Sequence, residues 1–297
     1  MRKVILDTDL GMDFDDSWAM AILLKSPEID LKLITTVSGD TNYRAKICAK
    51  YLTLANRTDI PIATGDQQKG KWYTTQRDWI KQFNISQYPG SIYDNGVEKL
   101  IETILNAEGK ITIIAIGPLT NIAAAINKEP KIVEKVEFIG MQGSIYRGYE
   151  GVSQSSAEYN IIADLPAAQQ VFQADWNMTI TPLDTCGIVT LSGDYLRTLK
   201  NAQDPIVNTL LDTYHFWLEH GDPGKRKVSK GKTPVLFDTV AAYLALSEKY
   251  LNIEELRIKI NHKGLMIIDE NGKNIRCATS WKDLNAYKEW LVNRLIS

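Results

Sequence analysis

Apolar and polar positions along this chain alternate between two periods. Residues 3–6 form a short apolar run of β-strand composition, and beyond Asp16 the positions Trp18, Ala19, Ile22 and Leu23 recur at helical spacing. After Pro27, residues 31–37 read as a second strand ending in Ser38-Gly39-Asp40, with a helix over about 43–56. Residues 60–63 form a short third strand. A helix over about 97–106 leads into 111–116, a continuous apolar run suited to a central parallel strand, and Gly117-Pro118-Leu119-Thr120-Asn121 turns into another helix. Residues 136–140 read as a strand, followed by a polar loop as far as Asn160, a helix over 165–172 and a strand over 178–183. A longer helix spans 206–219, and the next starts within 234–246. The tail differs: 256–260, 264–268 and 275–279 read as short hairpin strands, and a final helix covers 284–296.

Strand–helix alternation of this kind predicts an α/β fold, a mostly parallel central sheet with helices on both faces, Rossmann-like in layout. No internal repeat, low-complexity tract or linker interrupts it, so residues 1–297 are expected to form a single domain. Two stretches lack a sustained period. Residues 65–93 carry Trp72, Tyr73, Trp79, Phe83 and Tyr88 and read as a binding loop or lid, and 221–232 is a basic, Gly-containing loop.

Composition narrows the class. The chain has 297 residues, 44% hydrophobic and 24% charged, which is ordinary for a soluble globular protein with a substantial core. A net charge of -2 gives no electrostatic reason to expect nucleic acid or an anionic membrane as partner. Cys48, Cys186 and Cys277 are isolated and odd in number, so neither a disulfide framework nor a cysteine zinc site is indicated. With a strand already at residue 4, no signal peptide is expected, and no apolar run approaches the ~20 residues of a membrane span. The expectation is a cytoplasmic protein.

Candidate chemistry is concentrated in the first turn, where five aspartates, Asp7, Asp9, Asp13, Asp15 and Asp16, fall within ten residues. Helix capping would account for Asp15 and Asp16. It does not account for Asp7 and Asp9, which leave the strand. Carboxylates this dense repel one another unless a cation or shared protons hold them, and an oxygen-only cluster suits a hard ion such as calcium or magnesium. The fold expectation agrees, because ligands bind beyond the carboxyl ends of parallel strands. The aspartate turn, Asp40, Gly117-Pro118 and the loop to Asn160 each follow a strand, so all four should project from one edge of the sheet.

Five blocks carry a family resemblance: Asp7-Thr8-Asp9-Leu10-Gly11-Met12-Asp13-Phe14-Asp15-Asp16, Thr35-Thr36-Val37-Ser38-Gly39-Asp40, Gly117-Pro118-Leu119-Thr120-Asn121-Ile122, Ala157-Glu158-Tyr159-Asn160, and Phe237-Asp238. In order and spacing they resemble the inosine-uridine-preferring nucleoside hydrolases over about residues 3–245. The resemblance implies the nucleoside hydrolase fold and a calcium-dependent N-ribohydrolase whose partner is a small nucleoside, assembled as a homodimer or homotetramer. It implies Ca2+ ligands at Asp9, Asp16, the carbonyl of Ile116 and Asp238, with Asp9 also the general base toward a metal-bound water. It implies a substrate-binding set of Asp15, Asp40, Met141, Glu158, Asn160 and Phe237. Cleaving an N-glycosidic bond passes through an oxocarbenium-like state, which carboxylates around the ribose would favour.

The chain departs from the family pattern in four places. Asp40 stands where Asn is more common. Two extra residues separate Gly11 from the Asp15-Asp16 pair, so Asp13 competes with Asp15 for its role. Phe237 replaces a His that helps the base depart, and Val152 replaces an Asn at the sugar's 5′ end. Asp7 is expected to orient the turn, and Asn160 to bind ribose or cap the following helix. Core packing is expected of each of Trp72, Trp79, Tyr214 and Trp217 ahead of stacking on a nucleobase. His215 and His220 lie on or just after the helix that borders the site. Two other functions remain open from the residues alone: a haloacid-dehalogenase-type phosphatase, and a non-catalytic riboside or calcium binder.

Overall fold

In the computed structural model, which describes residues 1–67, 74–220 and 231–297, the alternating pattern becomes one mixed sheet. Strand β1 (Arg2–Thr8) lies in its interior, paired in parallel with β2 (Ile29–Thr36) on one side and β5 (Ile111–Ala115) on the other. From β2 the order continues through β3 (Ile62–Thr64) to β4 (Ile92–Tyr93). From β5 it continues through β6 (Val136–Met141), β7 (Asn177–Thr181), β10 (Lys273–Trp281), β8 (Leu251–Ile260) and β9 (Met266–Ile268). The β7–β10 pairing is parallel, whereas β8 runs antiparallel to β10 and β9. The tail strands are therefore hairpins, as their pattern predicts, but they extend the main sheet. Strand β8 begins earlier than expected because buried Leu251 pairs with Trp281.

Side-chain alternation divides the core between the two faces. Val4 and Leu6 enter one apolar cluster and Ile5 the other; Ile114 opposes Ile111 and Ile113 in the same way. The first cluster is covered by α1 (Asp15–Leu24), α2 (Thr41–Leu54), and later helices including α9 (Pro205–His220), α10 (Thr239–Leu244) and α11 (Leu284–Ile296). The second is covered by α3 (Gly96–Asn106), α4 (Thr120–Lys128) and α6 (Leu165–Gln173). The short helices α5 (Tyr159–Ala163) and α7 (Leu183–Cys186) follow strand ends, and α8 (Asp194–Asn201) precedes α9.

The helix expected within residues 234–246 is confined to α10. Thr233 N donates to Leu191 O and Leu236 N to Val189 O, so the segment before Asp238 is held alongside residues 189–191. Asp238 thereby becomes the N-cap residue. Helix α1 begins at Asp15 on a different principle. Its N-cap is Phe14, which makes no side-chain capping bond but is fully buried, with ring centroids 5.3 Å from Trp217 and 5.7 Å from Tyr214.

Crossovers leave β1 toward β2 and leave β5 toward β6, in opposite directions. This is the switch point at which parallel α/β sheets open a crevice beyond their carboxyl ends. Arg44 of α2, 2% exposed, clamps the rim: its Nε donates to Ser38 O at 2.6 Å and its Nη1 to Leu10 O at 2.9 Å. Arg44→Met keeps an apolar stem but leaves two carbonyls without that donor. The expected loss is roughly 2 kcal/mol or more, read as a lowered urea midpoint; an unchanged midpoint would show that the clamp contributes nothing.

Candidate active site

Four strand ends meet through side chains that bond to backbone. Asp7, facing Thr35 and Ala115 in register, accepts from Thr35 Oγ1 at 2.5 Å and Asn121 Nδ2 at 2.8 Å, and the same amide donates to Thr36 O at 3.1 Å. Gln142 Nε2 donates to Gly117 O at 3.0 Å, and Asn160 Nδ2 to Ile116 O at 3.2 Å and Met141 O at 3.1 Å. Gly117 lies so close to Asp9 that a Cβ there would stand 2.9 Å from Asp9 Oδ1. The aspartate turn, the Gly117-Pro118 turn and the loop to Asn160 thus converge, as expected of one sheet edge.

Asp15, Asp16 and Asp238 are all buried, and each offers an oxygen within 4.8 Å of the others. Neither Phe14 nor Asp238, the N-caps of α1 and α10, makes a side-chain capping bond. Asp15 and Asp16 are not the N-cap of α1 but stand in its first turn, where the helix dipole favours them, and that field alone does not account for their meeting Asp238. Asn160 is not a cap either. Glu158 caps α5, accepting from Asn160 N at 2.8 Å and Ile161 N at 3.3 Å, with Gly143 N adding a third bond at 3.0 Å.

Charge in this interior is strongly one-sided. Among the described residues, Asp7, Asp9, Asp15, Asp16, Glu158, Asp184 and Asp238 are buried carboxylates, and Arg44 is the buried cation. Burial, then Asp9 and Asp15, hold Asp16 well above the usual carboxylate range despite its 2.5 Å bond from Thr8. Burial, then Asp15, Asp16 and Asp9, do the same to Asp238. Burial also pushes Asp7 and Glu158 up to about 7 against the lowering effect of their hydrogen bonds. Such groups keep protons or take up a cation. Their oxygen-only donors fit a hard divalent ion.

The other expected residues divide. Asp13 is half-buried and its Oδ1 accepts from its own neighbour, Phe14 N, so Asp15, not Asp13, joins Asp16 and Asp238. Asp40 lies at the strand end as expected, but its Oδ1 accepts from Tyr43 N at 2.9 Å as the N-cap of α2, and Arg77 lies 3.9 Å from its Oδ2. Phe237 is partly buried beside the core, with Tyr149 edge-on at 6.1 Å. Trp217 is buried in the core, and Trp79 packs on Tyr51 at 5.0 Å, as core packing predicts. His215 and His220 are exposed, and His220 sits 3.3 Å from Asp78. Trp72, Tyr73 and residues 221–230 lie outside the described residues. Sequence reasoning gave no role to Asn121, Gln142, Arg44 or Asp184. Their positions just after strands, or on the helix following one, were the available signal.

A profile of the family described as inosine-uridine preferring nucleoside hydrolase matches residues 4–289. The chain belongs to this family. A probable uridine nucleosidase of Arabidopsis thaliana is 27% identical over 296 residues, 95% of this chain and 90% of that protein. A pyrimidine-specific ribonucleoside hydrolase of Escherichia coli is 30% identical over 232 residues, 73% of this chain and 71% of that protein. Among solved structures, a plant nucleoside hydrolase superposes with TM-score 0.84 at 22% identity, covering 100% of this chain and 99% of the other. An inosine-uridine preferring nucleoside hydrolase from Bacillus anthracis gives 0.78 at 18%, with 100% and 99% covered. These two likenesses show the shared fold. The nucleoside hydrolase described here is accordingly a glycosidase that cleaves the N-glycosidic bond of ribonucleosides. Among the described residues no helix is long and apolar enough to cross a membrane.

Glu158 gives this nucleoside hydrolase a testable pH dependence. Its carboxyl is raised from 4.5 to about 7 in the fold, so between these values the folded state holds a proton that the unfolded chain releases. Stability should therefore fall as pH rises through that window, by on the order of 3 kcal/mol. Urea unfolding in chelator across this range should show the slope, and Glu158→Gln should remove its share. A variant with the native slope would refute the assignment.

Proposed function

We propose that this nucleoside hydrolase works with one calcium ion held by Asp9, Asp16, the Ile116 carbonyl and Asp238, and that Asp9 is the general base toward the attacking water. The observation that carries the reading is the buried cluster of Asp15, Asp16 and Asp238 beside Asp9, with Arg44 as the buried cation nearby. When bound, calcium would act as a Lewis acid, lowering the pKa of coordinated water and orienting ribose hydroxyls.

The chain's own residues would do the rest. Asp9, held close to the Gly117 turn, takes the proton from water as its oxygen bonds to C1′, an effect typically worth ~10²–10⁴-fold. The base leaves with the glycosidic electron pair, and the carboxylates of Asp9 and Asp15 favour the positive charge that develops on the ribose ring. Asn160 commits Nδ2 to Ile116 and Met141, which leaves Oδ1 to accept from a sugar hydroxyl. Glu158, raised to about 7, can donate as well as accept there. Asp40 would bind ribose only through the oxygen not capping α2. Phe237, next to Asp238 in the chain, has no hydrogen to donate to a departing base, so good leaving groups should be cleaved best. The pyrimidine names of the two relatives make uridine the first natural substrate to test.

Elemental analysis of protein purified without chelator should find about one equivalent of calcium; zinc, or full activity without an ion, would sink the metal assignment. Asp9→Asn should lose several orders of magnitude in kcat on uridine and inosine. Near-normal turnover in that variant with metal bound would remove Asp9 as base. Native protein should cleave p-nitrophenyl riboside faster than inosine or uridine, and should leave p-nitrophenyl phosphate intact. Turnover of the phosphate alone would replace the glycosidase reading with a phosphatase.

A further inference from the structure

The loop between β6 and α5 is built rigidly. Buried Asp184 in α7 accepts from three successive backbone N–H groups, those of Ile145 at 2.9 Å, Tyr146 at 2.7 Å and Arg147 at 3.0 Å. Ser144 Oγ donates to Arg147 O at 2.7 Å and accepts from Ser156 N at 2.9 Å, joining the two arms. At the tip, Gly148 N donates to Val152 O at 3.0 Å. Within that turn Gly151 has φ 77° and Glu150 φ 58°, a left-handed conformation that a non-glycine residue keeps only where its surroundings impose it.

What the turn fixes is Tyr149. Its hydroxyl oxygen accepts from Tyr159 N at 2.9 Å, between Glu158 and Asn160 in the chain. Its ring meets Phe237, next to Asp238, edge-on at 6.1 Å. Tyr149 is 39% exposed; among the described residues no protein group accepts its hydroxyl hydrogen, and partial desolvation together with the nearby Glu158 carboxylate raises the phenol above its ordinary value. The same turn carries Val152, 54% exposed and apolar, where the family resemblance places an Asn toward the sugar's 5′ end.

We propose that Tyr149 is the specificity-determining contact for the 5′-hydroxyl of the ribose, donating its O–H to that oxygen in place of the missing amide. The assignment rests on the nucleoside reading above. The phenol oxygen is tied to the Glu158–Asn160 segment, the proposed sugar side, while Phe237 meets its ring edge-on. A donor with no protein acceptor at that place can exchange water for a ligand oxygen, and a ligand that covers it without offering one forfeits that bond.

Tyr149→Phe tests this, since it keeps the ring against Phe237 and removes only the O–H. With calcium present, kcat/KM is compared for uridine and 5′-deoxyuridine, and calorimetry compares methyl β-D-ribofuranoside with its 5-deoxy analogue, sugars locked in the furanose form whose binding needs no turnover. Native protein should prefer the 5′-hydroxylated member of each pair by about ten-fold. The variant should lose that preference, with the 5′-deoxy ligands changed less than about two-fold. A preference that survives in Tyr149→Phe would assign the 5′-oxygen to another group and overturn the proposal. Equal losses on both members would overturn it as well; if p-nitrophenyl riboside is spared, Tyr149 touches the leaving base, and if it is not, the role is structural. Should native protein bind the sugars without cleaving uridine, the hydrolase reading fails while the binding pair still decides Tyr149. Binding of neither sugar, with no cleavage of uridine, would overturn both.

Discussion

Burying several carboxylates in one small volume is the constraint to which the rest of this structure answers. Each ionised carboxylate removed from water needs hydrogen bonds, a proton or a cation. Asp184 and Glu158 are met by backbone N–H groups, and Asp7 by Thr35 and Asn121. Asp16 has Thr8 and the field of Arg44. For Asp238 burial and the neighbouring aspartates act in one direction only. The cluster is thus unfavourable in an empty, fully ionised state, and that instability favours binding of a divalent ion. Metal affinity and folding are then linked, since the fold assembles ligands that a short peptide could not.

The sheet makes that assembly possible. Parallel strands end on one edge, and only where neighbouring strands send their crossovers in opposite directions does a crevice open between the following turns. Strands β1 and β5 are such neighbours, so the turn after Asp7 and the turn at Gly117 face each other. Without a Cβ at Gly117, Asp9 can approach the neighbouring backbone. Asn160 then reaches two carbonyls, Ile116 and Met141, from adjacent strand ends, fixing the site's depth with one amide.

Much of this was legible in the sequence, for physical reasons. The continuous apolar run of β5 and the period of α11 are local patterns, and their elements fall where those patterns predict. The aspartate turn was legible because capping cannot account for Asp7 and Asp9, which leave the strand before the helix begins. Helix α8 was not, since its eight residues are mostly polar and only Tyr195, Leu196 and Leu199 meet the core. Asp40 was placed at the right strand end, but no pattern reveals that its carboxylate caps α2. Arg44, Asp184 and Tyr149 were invisible for one shared reason. Their partners are backbone atoms of other segments, and a backbone N–H or carbonyl looks the same in every residue.

The two extra residues between Gly11 and Asp15 show how local rules yield to a site. A polar N-cap would add about 1 kcal/mol to a helix start. Here that position is Phe14, which instead buries a whole ring against Trp18, Tyr214 and Trp217, worth roughly 1.5–3 kcal/mol. Packing therefore fixes where α1 begins at least as firmly as a cap would. Asp15 and Asp16 follow in the first turn, in the favourable field of the helix N-terminus. Their carboxylates lie within reach of Asp238, the N-cap residue of α10, a helix buried along its whole length.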